Sequence, residues 1–176
     1  MDYPRVSITN KNGVIQGYMD LHEALDAYKI RAVVRVFLFN TEGELLLQKR
    51  GPEVIVPNRW DHSAGGHIDE GQTPEQAAYA ELSEELGCKD IPLTFRDERY
   101  FEESYGDFSA RSYDYIFTGA ISRDATITTN EEVAEVRWIT LEQLKQEVRE
   151  NPDDFMQSLQ EIQDVEKVFI RAGFGG

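Results

Sequence analysis

One segment constrains the fold of this chain more than any other. Residues 65–88, GGHIDEGQTPEQAAYAELSEELGC, join a glycine-rich turn to a run of residues with helical character. Thr73 and Gln76 match a capping box, and Pro74 suits the first position of a helix. Gly87 suits the residue that follows a helix, because glycine adopts left-handed backbone angles without strain. The sequence therefore predicts a helix that begins at Pro74 and ends before Gly87.

The predicted helix has an apolar face and an acidic face when its residues are placed at about 100° per residue. The apolar face, which should pack on a sheet, carries Ala78, Tyr79, Leu82 and Leu86. The neighbouring arc carries the small Ala77 and three carboxylates, those of Glu81, Glu84 and Glu85. Like charges at this spacing destabilise a helix by roughly 0.2–0.5 kcal/mol per pair, and the helix contains no lysine or arginine to offset them. A solvated acidic face is one interpretation, and a cage of oxygen ligands for Mg²⁺ or Mn²⁺ is the other.

The same segment resembles the Nudix box, G-x5-E-x7-R-E-U-x-E-E-x-G-U, in which U is a bulky apolar residue. Gly66 opens the match, and residues 81–88, ELSEELGC, close it at the same spacing. Two positions depart from the pattern: Gln72 stands where the first glutamate belongs, and Ala80 stands where the arginine belongs. The resemblance implies a member of the Nudix hydrolase superfamily with the Nudix fold, a mixed β-sheet sandwiched between helices in the α/β (α+β) class.

The remaining sequence favours a layered fold of this kind, because strand-like runs are interleaved with a few helices. Strands are predicted as a pair at 4–16, around the turn NKNG, and singly at 32–40, 43–50, 93–101, 110–121 and 132–140. Helices are predicted at 21–28, at 141–150 after a Thr140 cap and around 152–170, and a loop is predicted at 51–64. No repeat or linker divides the chain, so we expect a single Nudix domain over 1–176 with an N-terminal strand or hairpin extension at about 1–30.

Charge and composition limit the class of partner. The formal net charge of -15 disfavours nucleic acid, which proteins bind through basic patches. No apolar run approaches the roughly 20 residues that a membrane span needs, and the N-terminus lacks the pattern of a signal peptide. Cys88 is the only cysteine, which fits a reducing compartment. We therefore expect a cytoplasmic protein with a small-molecule ligand, no nucleic acid and no membrane partner, and we keep a homodimer through the N-terminal strands as a hypothesis.

The resemblance implies a MutT-like, metal-dependent pyrophosphatase, an enzyme that cleaves a diphosphate bond in a nucleoside diphosphate linked to another group. Binding of Mg²⁺ or Mn²⁺ is implied for the carboxylates of Glu81, Glu84 and Glu85 and for the carbonyl of Gly65. Such ions neutralise diphosphate oxygens and activate a water molecule. They also supply the positive charge that a protein with a net charge of -15 needs at a diphosphate site.

The general base has several candidates, since members of the family take it from the box helix or from a distant loop. Glu84 and Glu85 are the candidates in the helix. The candidates in the loop, TNEEVAEVRW, are Glu131, Glu132 and Glu135. The position of Glu132 just before a predicted strand favours it, and a solvated loop is the alternative interpretation of all three.

Basic residues near the glycine turn are candidates for contact with the substrate phosphates. Lys49 and Arg50 end the predicted strand GELLLQKR, and arginine can hold two phosphate oxygens at once. His67 follows the glycine pair and is a candidate for contact with a phosphate or a metal. Ordinary surface charge at a strand end and a structural histidine are the alternatives.

Two other functions compete with hydrolysis. The order of NTEGELLLQKR, RWDHSAGGH and NPDDF resembles the branch of the superfamily close to type I isopentenyl diphosphate isomerases. Those enzymes use a cysteine where this chain has Gly65. They also use several histidines and a Glu-x-Glu pair, whereas this chain has only a poorly placed His22 and the run SARSYDYIF, so isomerisation is disfavoured. Alternatively, the departures at Gln72 and Ala80 indicate a weakened Nudix module that binds or senses a metabolite without turnover.

Overall fold

The structure, a computed structural model, describes residues 4–175. Its strands are β1 (Arg5–Thr9), β2 (Ile15–Asp20), β3 (Ile30–Phe39), β4 (Leu45–Arg50), β5 (Trp60–Asp61), β6 (Ala64–His67), β7 (Thr94–Tyr105), β8 (Phe108–Ala120) and β9 (Val133–Ile139). Its helices are α1 (Leu21–Asp26), α2 (Pro74–Leu86), α3 (Leu141–Glu150), α4 (Gln157–Gln160) and α5 (Ile162–Ala172), with a 3₁₀ turn at Pro152–Asp154. In this part of the chain, no helix is long and apolar enough to cross a membrane.

The nine strands form one mixed sheet that is organised around β3. β8 runs parallel to β3 along its whole length, from the Ile30–Arg111 pair to the Phe39–Ala120 pair. The other edge of β3 is shared by three antiparallel partners, with β1 at its start, β6 in its middle and β4 at its end. The glycine-bearing strand β6 therefore lies directly beside the centre of the fold.

Helices cover both faces of this sheet. On one face, β3 packs against α2 in a core that contains Val34, Val36, Leu38, Ala78, Leu82 and Leu86. On the other face, the sheet packs against α3 and α5 in a core that contains Phe37, Phe39, Leu144, Val148, Val165 and Phe169. Strand side chains alternate between faces, which explains why consecutive residues of β3 belong to different cores. The predicted fold, a mixed β-sheet sandwiched between helices, is confirmed.

The helix predicted from the capping box begins and ends where expected. Thr73 Oγ1 accepts a hydrogen bond from the backbone N of Gln76 at 3.1 Å, and Gln76 Oε1 accepts one from the backbone N of Thr73 at 2.9 Å. Gly87 has a left-handed backbone with a φ of 64°, a conformation that favours glycine. These local contacts set the two ends of α2.

The prediction of a loop over 51–64 is wrong at its end. Trp60 of β5 pairs with Lys49 of β4, and Ala64 of β6 pairs with Val36 of β3. Both pairings join segments that are distant in sequence, and short strands of this kind carry little propensity of their own.

The prediction of one helix around 152–170 is also wrong, because the backbone is extended between the 3₁₀ helix and α4. Phe155 and Met156 have extended backbone angles there. Met156 N donates a hydrogen bond to Trp60 O at 2.9 Å, and Phe155 forms a parallel bridge with Trp60. Pairing with β5 therefore interrupts the helical run.

The N-terminal hairpin forms about the turn NKNG as predicted, but its second strand begins at Ile15 and extends to Asp20, beyond the predicted limit at residue 16. β1 pairs with β2 from Arg5–Asp20 to Ile8–Gly17, and β1 joins the hairpin to β3. β2 lies at the edge of the sheet. Residues 1–3 lie outside the described residues, and both the domain boundaries and the homodimer stay predictions.

Candidate active site

Glu85 is the most buried of the three carboxylates that the sequence places on α2. The residue is 6% exposed, and its Oε2 accepts hydrogen bonds from Gln48 Nε2 at 2.8 Å and from the backbone N of Gly65 at 3.1 Å. Burial, reinforced by the charge of Glu81, raises the pKa of Glu85 well above its usual range. The carboxyl group of Glu85 therefore lies against β6, and a bound cation would stabilise its ionised form.

Glu81 lies one turn earlier on α2 and faces Gly66 of β6. A Cβ atom at residue 66 would overlap the Glu81 carboxyl group, so a glycine is what allows the helix and the strand to approach this closely. Burial raises the pKa of Glu81 to about 7, and three acidic neighbours contribute to the shift, namely Glu84, Glu132 and Asp69.

A pocket of about 380 Å³ opens beside Glu81, and we call it the acidic pocket. Glu85 lines the neighbouring pocket on the other side of β6. Glu81, the exposed Glu84 and Asp69 line the acidic pocket, and burial followed by the charge of Glu84 raises the pKa of Asp69. Among residues 4–175, no lysine or arginine lines the acidic pocket, and Ala80 stands in its wall. Gln72 also lines it, but its Oε1 accepts a hydrogen bond from Asp69 N at 3.0 Å and so stabilises the turn before α2.

The donor atoms of the acidic pocket suit a hard divalent cation. Across residues 4–175, no three acidic, histidine or cysteine side chains are already gathered to hold a metal ion. The fit rests instead on Glu85, which is buried, and Glu81, which is half-buried. Burial is the main cause of both raised pKa values, and the charges of neighbouring carboxylates add to it. Oxygen ligands of this type are those that Mg²⁺ and Mn²⁺ prefer. The structure brings Glu81, Glu85 and Gly65 together and leaves Glu84 exposed at the rim.

A second pocket, of about 260 Å³, borders the acidic pocket along β6. We call it the basic pocket, because the lysine and arginine side chains that line either pocket are all here, namely those of Arg31, Arg35 and Arg50. Four acidic residues line it as well: Asp61, Glu85, Glu103 and Glu132. Apolar side chains share the lining with these charged groups, among them Leu25, Val54, Ile55, Val56, Phe108 and Met156. An anionic group with an organic substituent is the kind of ligand that such a lining fits.

The two basic residues predicted to bind substrate lie on opposite sides of β4. Arg50 faces the basic pocket, where its guanidinium donates to the carbonyl of Ile55 at 2.6 Å and to Asp61 Oδ2 at 3.3 Å. Lys49 faces away, and its Nζ lies 5.6 Å from the centroid of the Trp60 indole ring. Among the described residues, Lys49 lines neither pocket, so the structure brings only Arg50 to the site.

His67 lines both pockets and contacts Arg31. Its Nε2 lies 2.7 Å from Arg31 Nη1, and because arginine can only donate, Nε2 accepts this hydrogen bond. Burial, followed by the charge of Arg31, lowers the pKa of His67 to about 3, so the imidazole is neutral. The lone pair that His67 would offer to a metal through Nε2 is therefore engaged with Arg31.

Glu132 reaches the site from a distant part of the chain. Its carbonyl oxygen accepts a hydrogen bond from Gly51 N at 2.7 Å, which ties the loop before β9 to the end of β4. Glu132 is exposed and lines both pockets. Glu131 and Glu135, the other two loop candidates for a general base, line neither pocket within residues 4–175.

The sequence analysis missed Arg31 and Arg35, which lie on one face of β3. They are 6% and 5% exposed, and Arg35 Nε donates to Asp114 Oδ2 at 2.6 Å. The signal was present, because two arginines four positions apart interrupt an otherwise apolar strand. Fully buried arginines are rare unless they are paired, so charges inside such a run deserve a functional or ion-pairing hypothesis.

Gly65 has no room for the side chain that an isomerase requires. A Cβ atom there would overlap His62 Nε2 and would lie 2.6 Å from the carbonyl oxygen of Val34. His62 stacks on Phe37 with ring centroids 5.5 Å apart, which limits its movement. A cysteine at residue 65 therefore requires a shift of the backbone, which agrees with the prediction against isomerisation. His22, which we predicted to be poorly placed, lies in the wall of the acidic pocket.

The carboxylate-bearing helix α2 lies beside the glycine strand β6, and β6 lies between the acidic and the basic pocket. This arrangement is typical of proteins that act on a polyanion with the help of a metal ion. The sequence model of the NUDIX domain matches residues 29–159, which is more than half of the chain. The chain belongs to the NUDIX family. Members of this family generally use divalent metal ions.

Individual relatives agree with this membership. An uncharacterized Nudix hydrolase of Listeria monocytogenes is 34% identical over 142 residues, which cover 78% of this chain and 80% of the relative. An isopentenyl-diphosphate Delta-isomerase of Jannaschia sp. is 31% identical over 147 residues, which cover 82% of each protein. Among solved structures, DR0079 of Deinococcus radiodurans has a TM-score of 0.73 at 23% identity, covering 91% of this chain and 98% of that one. The predicted superfamily and enzyme class, a pyrophosphohydrolase acting on acid anhydrides, are confirmed.

Proposed function

We propose that this protein hydrolyses the diphosphate bond of a nucleoside diphosphate linked to another group, with Mg²⁺ or Mn²⁺ as its cofactor. One observation carries the proposal. Two carboxylates with raised pKa values, Glu81 and Glu85, lie on either side of β6, and Glu85 lines the same pocket as three guanidinium groups. A complex of a divalent cation with a diphosphate has the charges that complement this arrangement.

The metal would be held by the carboxylates of Glu81 and Glu85, with Glu84 at the rim and the carbonyl of Gly65 as a further ligand. When bound, a divalent cation neutralises phosphate oxygens and lowers the pKa of a bound water molecule. Gln48 holds Glu85 Oε2 at 2.8 Å and so fixes the orientation of that carboxylate.

Glu132 is the general base that we favour. Its exposed carboxylate stands where the two pockets meet, within reach of a water molecule that attacks phosphorus between them. Glu84, which is exposed on α2, is the alternative. Glu85 is less suited to move a proton, because its Oε2 already accepts two hydrogen bonds.

The basic pocket is the place for the rest of the substrate. Arg50 and His67 face it, and Phe108 contributes an aromatic ring to its lining. The Jannaschia relative is named for isopentenyl diphosphate, so the diphosphate is the feature that we carry over to this chain. Lys49, which packs on Trp60, takes no part in the proposal.

A second candidate function is binding of a diphosphate ligand without turnover. The observation that favours it is the composition of the acidic pocket, where Ala80 leaves the described wall without a guanidinium. Gln72 lies in the same wall, and its side-chain oxygen accepts a hydrogen bond from the backbone N of Asp69. Metal-dependent turnover separates the two functions.

The test is a panel of diphosphate compounds, incubated with Mg²⁺, with Mn²⁺ and with a chelator, and assayed for released phosphate or nucleotide. The panel contains ADP-ribose, NADH, CDP, UDP, sugar nucleotides and isopentenyl diphosphate. We expect metal-dependent turnover that falls by about 10²-fold or more in Glu85→Gln and in Glu132→Gln. Glu75→Gln is the matched control, because Glu75 is exposed in the first turn of α2 and lines neither pocket.

Each outcome has a distinct meaning. Turnover of wild-type magnitude in Glu85→Gln would refute the metal site, and turnover of wild-type magnitude in Glu132→Gln would move the general base to Glu84. Binding of a panel compound without turnover in any metal would favour the sensor module.

A further inference from the structure

The three guanidinium groups of the basic pocket differ in their ionic partners. Arg35 Nε lies 2.6 Å from Asp114 Oδ2, and Arg50 Nη1 lies 3.3 Å from Asp61 Oδ2. Arg31 is as buried as Arg35, yet in residues 4–175 no carboxylate lies within 4.0 Å of its guanidinium nitrogens. Arg31 is thus the one member of the trio without an acidic partner in the described chain.

The donors of Arg31 are also incompletely used. Nη1 donates to His67 Nε2 at 2.7 Å, and Nη2 approaches the carbonyl oxygen of Arg111 at 3.4 Å. Nε is buried and has no hydrogen-bond acceptor among the described residues. Burial lowers the pKa of Arg31, and the charge of Glu103, across the same pocket, opposes that shift. A buried guanidinium in this state is stabilised when an anion joins it.

β6 places this guanidinium next to the carboxylates of α2. His67 pairs with Val33 of β3, so His67 and Arg31 lie on the same face of the sheet. Gly66, the preceding residue, turns to the opposite face and adjoins the carboxyl group of Glu81. A single ligand at β6 can therefore contact the carboxylate side and the arginine side at once.

We propose that Arg31 binds a phosphoryl group of the substrate, and that His67 holds its guanidinium in position. The inference rests on the proposed function, since the anion is the part of the same diphosphate that lies farther from Glu81 and Glu85. Arg31 presents Nε and the Nη atoms as a fork, the geometry that phosphate oxygens accept in pairs. Arg35 and Arg50 already have carboxylate partners, so Arg31 is the guanidinium of this trio that is left to bind the anion.

The test is calorimetric titration of the full chain with methylenediphosphonate, a diphosphate analogue that resists hydrolysis, in chelator and in Mg²⁺. We expect Arg31→Met to weaken binding by about 10- to 100-fold in both buffers and Arg31→Lys to restore part of the loss. Arg111→Met, which removes the same charge from the neighbouring strand and lines neither pocket, should bind within about threefold of wild type.

Two further measurements separate a ligand role from a structural one. His67→Gln keeps an acceptor for Arg31 Nη1, so it should bind the diphosphonate more tightly than His67→Leu does. The Mn²⁺ affinity measured without diphosphonate should change by less than about threefold in Arg31→Met, because Arg31 lies on the face of β3 away from α2. Melting temperatures identify any variant that does not fold. If Arg31→Met does not fold, the affinity of Arg31→Lys, which keeps the charge, is compared with that of the wild type.

Wild-type affinity for methylenediphosphonate in both Arg31 variants would overturn the inference. Equal affinity of the wild-type protein for inorganic phosphate and for the diphosphonate would also overturn it, because the proposed ligand spans two sets of contacts. Binding is measured without turnover, so the absence of hydrolysis would leave this test intact. A hydrolysis rate that does not change in the Arg31 variants would refute this inference but would leave the proposed function standing.

Discussion

Replacing Asp114 by asparagine should destabilise the protein strongly, although Asp114 lies outside the predicted catalytic groups. Asp114 is fully buried, and its two oxygens accept hydrogen bonds from Arg35 Nε and from Ser112 Oγ, each at 2.6 Å. Burial alone would lower the pKa of Arg35, but the adjacent Asp114 raises it above its usual value. Asparagine keeps the shape of the side chain and removes only the charge.

The expected loss of stability arises because the substitution leaves the buried guanidinium of Arg35 without its carboxylate partner. Removing one partner of a buried ion pair leaves the other charge desolvated and unpaired, which costs about 3–5 kcal/mol. In a chain of this size, each kcal/mol lowers the melting temperature by roughly 2–4 °C. Asp114→Asn should therefore lower the melting temperature by about 6–20 °C.

Urea unfolding and thermal melting followed by circular dichroism measure this loss. Asp164→Asn is the matched control, because Asp164 pairs with Arg99 at 2.8 Å and its side chain is 43% exposed, so about 1 kcal/mol or less should be lost. Adding Arg35→Met to Asp114→Asn should recover part of the stability, since the unpaired charge of Arg35 is then removed as well. A loss in Asp114→Asn no larger than that in Asp164→Asn would refute the reasoning.

Two more substitutions test the local contacts of α2. Gly66→Ala should lower metal-dependent turnover by about 10²-fold with little change in melting temperature, because the new Cβ displaces the flexible Glu81 carboxyl group, and retained wild-type turnover would contradict this. Thr73→Ala removes the cap on Gln76 N and should cost about 1 kcal/mol in urea unfolding. Thr140→Ala, which removes the equivalent cap of α3, should cost a similar amount, and a much smaller loss at either site would count against the capping contacts.

Local signals explain what could be predicted about α2 from sequence. Its two ends depend on contacts within five residues of Thr73 and Gly87, so the capping pattern is sufficient to place them. The periodicity placed Glu81, Glu84 and Glu85 on one arc but did not separate them. Contacts with β4 and β6 bury Glu85 and leave Glu84 exposed, and those contacts come from residues far away in the chain.

Long-range pairing explains what could not be predicted. A run such as Ala64–His67 has no strand propensity, and it becomes β6 only because β3 offers it hydrogen bonds. The same pairing brings His67 to Arg31, so the basic pocket on β3 cannot be predicted from the glycine-rich turn alone. Glu132 was favoured for its position before a strand, but its place beside both pockets depends on the Gly51 contact.

The alternation of side chains along β6 has a thermodynamic consequence. Gly66 adjoins the carboxylate of Glu81 on one face, and His67 adjoins the guanidinium of Arg31 on the other, so the backbone keeps opposite charges from neutralising each other. A cation alone or an anion alone satisfies only half of this charge separation. Metal and diphosphate should therefore bind with positive cooperativity, and by linkage each should raise the affinity for the other by the same factor. Such coupling selects the metal–diphosphate complex over the free ions that surround it in solution.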